Sequence, residues 1–448
     1  METMSLPKRA QVEIIQHAPI DTLPNEILIS IFETVRRTSM SWSTDVPFAV
    51  IASHVSSRWR SIAINTPSFW TNIFITSRKD IGRAASYLER SDQRSIDVTY
   101  YPHIRAWDTL SAVTLSKILA QHSHRWRRLA LLSANGDDIH SIVSHFQGVD
   151  SANLECLRIV DRDGKKGSGP SILPHFATSR VSLTTLELTS LKGDLRPSYA
   201  DFRAFVQSCS SLQTLVLHTC SIQTFSTPIV LTEIPSLQSL TFSGDTREEQ
   251  FYSFFEFLFT PAIETLELCD MDSEEWNYFC EWMDETEVLR YPRLRSLILV
   301  DVSTDEHVDN SFADSCPSLR HIAIRGSQFE LSLISTLAGW SYFSGGNGDT
   351  DIRWIHLHTL SISDITASFM LIRHIIGSRI AAGMPLRKLR LDRLLYEDEA
   401  ALDVLRSYVQ LELFECGNSL PRLHRHILES SEDETDWTKE LWRGGIDD

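Results

Sequence analysis

Along most of this chain one spacing recurs: an apolar residue, two open positions, a second apolar residue, one open position and a third. It reads Trp126/Leu129/Leu131, Leu154/Leu157/Ile159, Leu183/Leu186/Leu188, Leu212/Leu215/Leu217 and Leu237/Leu240/Phe242. It continues through Ile263/Leu266/Leu268, Leu294/Leu297/Leu299, Leu319/Ile322/Ile324, Leu357/Leu360/Ile362 and Leu386/Leu389/Leu391. Successive starts lie 28, 29, 29, 25, 26, 31, 25, 38 and 29 residues apart. One match means little in a chain that is 42% hydrophobic. A series at this period specifies supersecondary units stacked side by side.

The last two apolar positions of each unit are two apart, so they share one side of an extended strand. Stacked strands then bury a continuous apolar ladder. Segments at 201–208, 249–259, 274–283, 367–380 and 397–408 are predicted to return as helices. The longest interval holds Ser344-Gly345-Gly346-Asn347-Gly348-Asp349-Thr350, which reads as an inserted loop. A degenerate turn follows at Val409/Leu411/Leu413. The spacing resembles the leucine-rich repeat. That resemblance implies an α/β solenoid with a concave parallel sheet and convex helices, and puts about ten repeats in residues 126–428. Only Cys220 supplies the ninth-position Asn or Cys of the repeat consensus, a departure that bears on the repeat class and leaves the solenoid reading intact.

The first part of the chain has another character. Residues 1–18 are expected to be disordered. Pro24 then suits a first helical turn, where its missing N–H has no partner to lose. Ile27, Leu28, Ile31, Phe32 and Val35 recur at helical spacing behind it. A second set, Phe48, Ile51, Ala52 and Val55, and a third, Trp59, Ile62 and Ala63, predict two more short helices. Thr66-Pro67 ends the third.

The order Leu23-Pro24-x-Glu26-Ile27-Leu28-x-x-Ile31-Phe32, then Val55-x-x-Arg58-Trp59-Arg60, then Pro67-x-Phe69-Trp70 resembles the F-box of the large fungal families, over residues 19–75. The resemblance implies a three-helix module that docks a Skp-type adaptor, which bridges to the cullin core of a ubiquitin ligase. Carried onto this chain, the adaptor face comprises Leu23, Pro24, Ile27, Leu28, Ile31, Val55 and Trp59. Phe32, Val35, Ile51 and Ile62 read as the module's own core. Ser56 departs from the cysteine that many F-boxes carry there.

Residues 76–125 read as a connecting region packed on the solenoid, with helices at 81–90 and 110–122 and a strand at 95–100. No Gly/Ser/Pro-rich linker separates the parts. The acidic tail, residues 429–448, contains Trp437, Leu441 and Trp442. A disordered end and a cap over the last repeat both remain open for it.

The positions between ladder residues face solvent on the concave side. Most are Ser or Thr, ordinary for an exposed strand face. Ile298 and Val300 put apolar side chains there, and His321, Arg325, Lys388 and Arg390 make the late turns basic. That set is the candidate site for an acidic or phosphorylated segment of a protein substrate. The aromatic run from Phe251 to Phe259 reads as a helix packed on its neighbours.

The net charge of −17 argues against nucleic acid or anionic membrane as a partner. Seven cysteines without a CxxC pair suggest buried thiols in a reducing compartment rather than a disulfide framework or zinc ribbon. No apolar run reaches the roughly 18 residues of a spanning helix, and a cytoplasmic or nuclear location is expected. Hydrolase, metalloprotease, Walker and dinucleotide motifs are absent. Gly164–Pro170 has the wrong spacing for a phosphate loop. Asp161-x-Asp163-Gly164 lacks the calcium-loop glutamate, its place being taken by Ile172. The pairs His356/His358 and His424/His426 lack a third ligand. The expectation is a non-catalytic adaptor without cofactor or metal. A repeat-based interaction scaffold outside ubiquitin transfer is the alternative.

Overall fold

The recurring apolar triplets form one parallel sheet of 13 strands lying in chain order. The computed structural model describes residues 19–38, 47–102, 109–133, 136–146, 148–161, 171–176, 182–191, 195–218, 222, 230–243, 250–284, 290–303, 313, 315–326, 337, 352–363, 369–392 and 399–414. The loop read at 344–350, the Gly164–Pro170 segment, Cys220, His424, His426 and both termini lie outside them.

The strands are β1 Asn72–Ile75, β2 Ile96–Tyr100, β3 Trp126–Ser133, β4 Cys156–Asp161, β5 Thr185–Thr189, β6 Thr214–His218 and β8 Ser239–Ser243. They continue as β10 Thr265–Cys269, β11 Ser296–Val300, β12 His321–Arg325, β13 Thr359–Ser363, β14 Lys388–Asp392 and β15 Gln410–Phe414. The two-residue strands β7 Thr232–Glu233 and β9 Leu258–Phe259 pair apart from this sheet.

Register makes the ladder. Leu157, Leu186, Leu215, Leu240, Leu266, Leu297, Ile322, Leu360, Leu389 and Leu411 stand in one row across the strands. A second row, two residues on, runs from Ile159 to Leu413. The first apolar residue of each triplet, from Trp126 to Leu386, is also buried. Each such side chain contributes about 1.5–3 kcal/mol by leaving water.

Hydrogen bonds fix the entry of most strands and the exit of several. At the entry, one carbonyl accepts two successive N–H groups of the next turn. Gln213 and Thr214 both donate to Thr184 at 2.9 Å, and Arg295 and Ser296 both donate to Glu264 at 2.9 and 3.0 Å. At the exit, Ser190, Asp270, Asp301 and Gly326 turn into positive φ. There Ser190, Asp270 and Asp301 donate their N–H to the neighbouring strand's carbonyl at 2.7–2.9 Å. Position 326 favours glycine, because its φ is +115° and a Cβ would lie 2.8 Å from the Asp301 backbone nitrogen.

Helices return the chain on the other side: α4 Asp80–Arg90, α5 Thr109–Ala120, α6 Gly136–Val143, α7 Tyr199–Ser208, α8 Gln250–Phe257, α9 Ser273–Asp284, α10 Phe369–Ala381 and α11 Glu399–Arg406. Phe254, Phe255 and Phe257 of the aromatic run belong to this packing. Phe254 stacks on Phe242 with centroids 4.5 Å apart, Phe255 meets Phe279 at 4.9 Å, and Phe257 meets Tyr199 at 4.7 Å.

The region expected to connect two parts carries turns of the solenoid itself. Strands β1 and β2 pair in parallel, and β2 pairs with β3. Neither strand carries leucine, so the triplet pattern does not reveal them. Buried Arg125 closes the C-terminal end of α4. It donates to the Leu88 carbonyl at 2.9 Å, the Arg94 carbonyl at 3.2 Å and Ser91 Oγ at 3.2 Å.

The N-terminal helices are α1 Asn25–Thr38, α2 Phe48–Ser53 and α3 Ser57–Ile64. They enclose Leu28, Phe32, Ala49, Ala52, Ile62 and Ala63. The sheet order predicts that Leu266→Ala, in the middle of the ladder, costs about 2–5 kcal/mol. Urea unfolding followed by circular dichroism measures that loss. An unchanged midpoint would contradict the ladder.

Candidate functional site

Two surfaces carry the site residues predicted from the sequence. The first lies on the N-terminal helices. A short 3-10 turn, Pro19–Thr22, leads into Leu23-Pro24, and the Leu28 N–H donates to the Pro24 carbonyl at 3.2 Å. Arg58 reaches back from α3 to hold this turn. Its Nε and Nη2 donate to Asn25 Oδ1 at 3.0 and 2.8 Å, and Nη2 also donates to the Leu23 carbonyl. Ser56 caps α3 by accepting the Trp59 N–H at 3.1 Å. The serine is thus a helix-start residue in this chain. Trp59 lays its ring 4.6 Å from that of Phe32, which also packs on Phe48 at 5.4 Å.

The helices divide the predicted adaptor residues. Pro24 is exposed. Ile27 is 47% exposed, Ile31 37% and Val55 59%. Leu23 and Trp59 are half-buried against the core. Leu28 corrects the expectation: at 0% exposure it is part of the module's interior. The cause is helical geometry. Leu28 and Phe32 are four apart on the inward stripe, and Ile27 and Ile31 are four apart on the adjacent outward one. Ile51 corrects it in the opposite sense. It reads as core in the sequence, yet it is 48% exposed, because the short α2 buries Ala49 and Ala52 and turns Ile51 to water. Phe32 and Ile62 are core, and Val35 is half-buried.

The Pro67–Trp70 turn joins this module to the solenoid. Phe69 faces Phe32 at 6.2 Å. Trp70, fully buried, packs on Tyr87 of α4 at 4.9 Å, and the Arg90 guanidinium lies 4.6 Å over its ring. Its indole N–H donates to the Ala63 carbonyl at 2.9 Å.

The second surface is the concave face of β11–β15. Ile298 and Val300 are half-buried there. In register Ile298 lies between Glu267 and Ala323, and Val300 between Cys269 and Arg325. His321 has a serine hydroxyl at each ring nitrogen: Ser296 Oγ is 3.1 Å from Nδ1 and Ser361 Oγ 3.0 Å from Nε2. Burial, with Arg390 nearby, holds its pKa below the usual histidine range. Arg325 works against burial at Glu267, whose carboxyl nevertheless stays above its ordinary value.

Lys388 and Arg390 share one carboxylate, Glu412 of β15. Lys388 Nζ pairs with Oε2, and Arg390 Nη2 lies 3.4 Å from Oε1. The Lys388 partner holds the Glu412 carboxyl below its usual pKa. The Arg390 guanidinium sits 5.2 Å over the Phe414 ring. The late turns are therefore less basic than a count of cations predicts, since one is a histidine held toward neutrality and two are shared by Glu412. Sequence reasoning missed Glu412 and Arg58. The alternation Gln410-Leu411-Glu412-Leu413 carried the signal for the first.

Thiols are held protonated by burial, Cys209 near 11 and Cys316 near 12. Among the described residues no group of three or more His, Cys, Asp or Glu side chains could hold a metal ion. No described helix is long and apolar enough to cross a membrane.

The family model for F-box-like domains matches residues 20–76, a span that covers α1–α3, the Phe69-Trp70 turn and strand β1. This chain thus carries an F-box-like domain ahead of a parallel-sheet solenoid. No curated protein matches it. Among solved structures, the crystal structure of a protein from Bacteroides fragilis is similar at 10% identity, covering 77% of this chain and 73% of that one, with a TM-score of 0.33.

Removing the clamp in Arg58→Met is expected to cost about 1 kcal/mol of stability and to speed backbone hydrogen exchange over residues 23–28. Unchanged exchange there would show that the Leu-Pro turn holds itself.

Proposed function

We propose that this chain is the substrate-recognition subunit of an SCF-type cullin ubiquitin ligase. The F-box-like module docks a Skp-type adaptor, the adaptor bridges to the cullin, and the repeats hold a protein substrate. The observation that carries this reading is the set of aliphatic side chains that the F-box-like domain leaves in water beside an immobilised Leu-Pro turn. Ile27, Ile31, Ile51 and Val55 are 37–59% exposed and lie outside the buried core, and exposed apolar groups concentrated on a small domain mark a contact surface. The proposed adaptor face is Leu23, Pro24, Ile27, Ile31, Ile51, Val55 and Trp59. Leu28 supports it from beneath.

The chain contributes no chemistry of its own to this reaction. It raises the rate by holding substrate lysines near a ubiquitin-loaded enzyme, an effect of proximity and orientation. The substrate contacts are assigned to the concave face around Ile298, Val300, His321, Arg325, Lys388 and Arg390, for an acidic or phosphorylated segment. The working compartment of such a ligase is cytoplasm or nucleus.

Co-purification with a recombinant Skp-type adaptor tests the proposal. The unmodified chain is expected to form a stable complex. Ile27→Asp and Val55→Asp are each expected to weaken it by a factor of about ten or more, with the melting temperature changed little because both side chains are already in water. Failure of the unmodified chain to bind would overturn the ligase reading in favour of an interaction scaffold outside ubiquitin transfer.

A further inference from the structure

We propose that Glu412 is a built-in stand-in for the acidic group of a bound partner, and that an acidic segment enters the concave face by taking its place between Lys388 and Arg390. This rests on the concave-face reading above and deepens it.

Two ion pairs occupy the same cross-strand row, one between β4 and β5 and one between β14 and β15. Near the N-terminal end, Arg158 Nε contacts Glu187 Oε2 at 2.7 Å, with the side chains 19% and 7% exposed. Breaking a pair so enclosed leaves an uncompensated buried charge. That pair is closed to exchange. At the C-terminal end, Lys388, Arg390 and Glu412 are 35%, 38% and 39% exposed. Ion pairs this wet are weak and exchange readily.

The C-terminal pair also leaves capacity unused. A guanidinium offers five N–H donors. Among the described residues Arg390 makes one hydrogen bond, at the long distance of 3.4 Å. Phe414 supports one face of the group, which holds the fork in position without using its donors. Glu412 itself shows that a carboxylate fits between the two cations. A partner's carboxylate or phosphate, free to approach in the plane of the fork, can make the paired bonds that a side chain fixed on the neighbouring strand cannot.

The surroundings narrow the ligand. Ser361 lies beside Arg390 in register and is already engaged with His321. Toward the centre of the sheet stand Ile298, Ala323 and Val300. The arrangement suits an extended peptide whose acidic residue meets Lys388 and Arg390 while an aliphatic residue, a few positions along, lies over Ile298 and Val300.

The test is fluorescence polarisation on the full chain with three labelled peptides: one alternating Glu and Leu, one with phosphoserine in place of Glu, and a neutral Gln-Leu control. Weak binding of an anionic peptide to the unmodified chain is expected. Glu412→Gln should tighten it roughly two- to five-fold, and Arg390→Met should abolish it. The control should not bind any form. Tightening with the carboxylate or the phosphate peptide alone supports the proposal and identifies the anion. If Arg390→Met loses binding but Glu412→Gln matches the unmodified chain, the stand-in role is overturned and the concave site stands. If no anionic peptide binds either the unmodified chain or Glu412→Gln, both are overturned. Neither result bears on adaptor docking, which involves other residues.

Discussion

The stacking of leucines from strand to strand is the constraint on which the rest of this molecule depends. The two positions of each strand that point inward are two residues apart, and each lies opposite its counterpart on both neighbours. A slip of one residue would turn every ladder side chain to water and every serine or threonine inward. Register is therefore held along the whole sheet, and it decides which residues form columns on the concave face. Ile298 stands beside Ala323, and Arg390 beside Glu412, because Leu297 and Leu389 must meet Ile322 and Leu411.

An open stack of this kind needs its ends covered. At the N-terminal end the F-box-like module is bound to the first turns through two adjacent aromatics that face opposite ways. Phe69 packs into the helical module, and Trp70 packs on Tyr87 and Arg90 of α4. The exposed aliphatic residues of α1 and α2, proposed above as the adaptor face, are thus fixed to the sheet by short-range packing. A receptor that works by proximity requires such a connection, since a loose tether would dilute the orientation it supplies.

Much of this was legible in the sequence. Leucine spacing located the strands of the long sheet from β3 onward, and helical periodicity located α1 to α5 to within a residue or two. The misses have physical causes. Strand β2 is legible from its alternation at 95–100, but β1 and the pairing of both with the leucine strands are not, because they carry Ile, Val, Phe and Tyr in place of leucine. Ile27 and Leu28 are adjacent in one apolar stripe, and only packing shows which is inside. Ile51 is outside because its helix is too short to bury it. Charges on different strands cannot be paired until register is known, so the sequence shows three late cations and a histidine but not that two of the cations share Glu412. Arg58 is read from the sequence only as part of a motif, and its bonds to Leu23 and Asn25 are visible only in three dimensions.

The central claim is that one end of this molecule is an adaptor-docking face and that the solenoid is a separate surface held rigidly behind it. Hydrogen-exchange mass spectrometry of the full chain, with and without a recombinant Skp-type adaptor, tests it most directly. The account predicts that protection rises over residues 20–31 and 48–59 and stays constant over β10–β15. No gain over 20–31 and 48–59, or a gain confined to the strands, would contradict it.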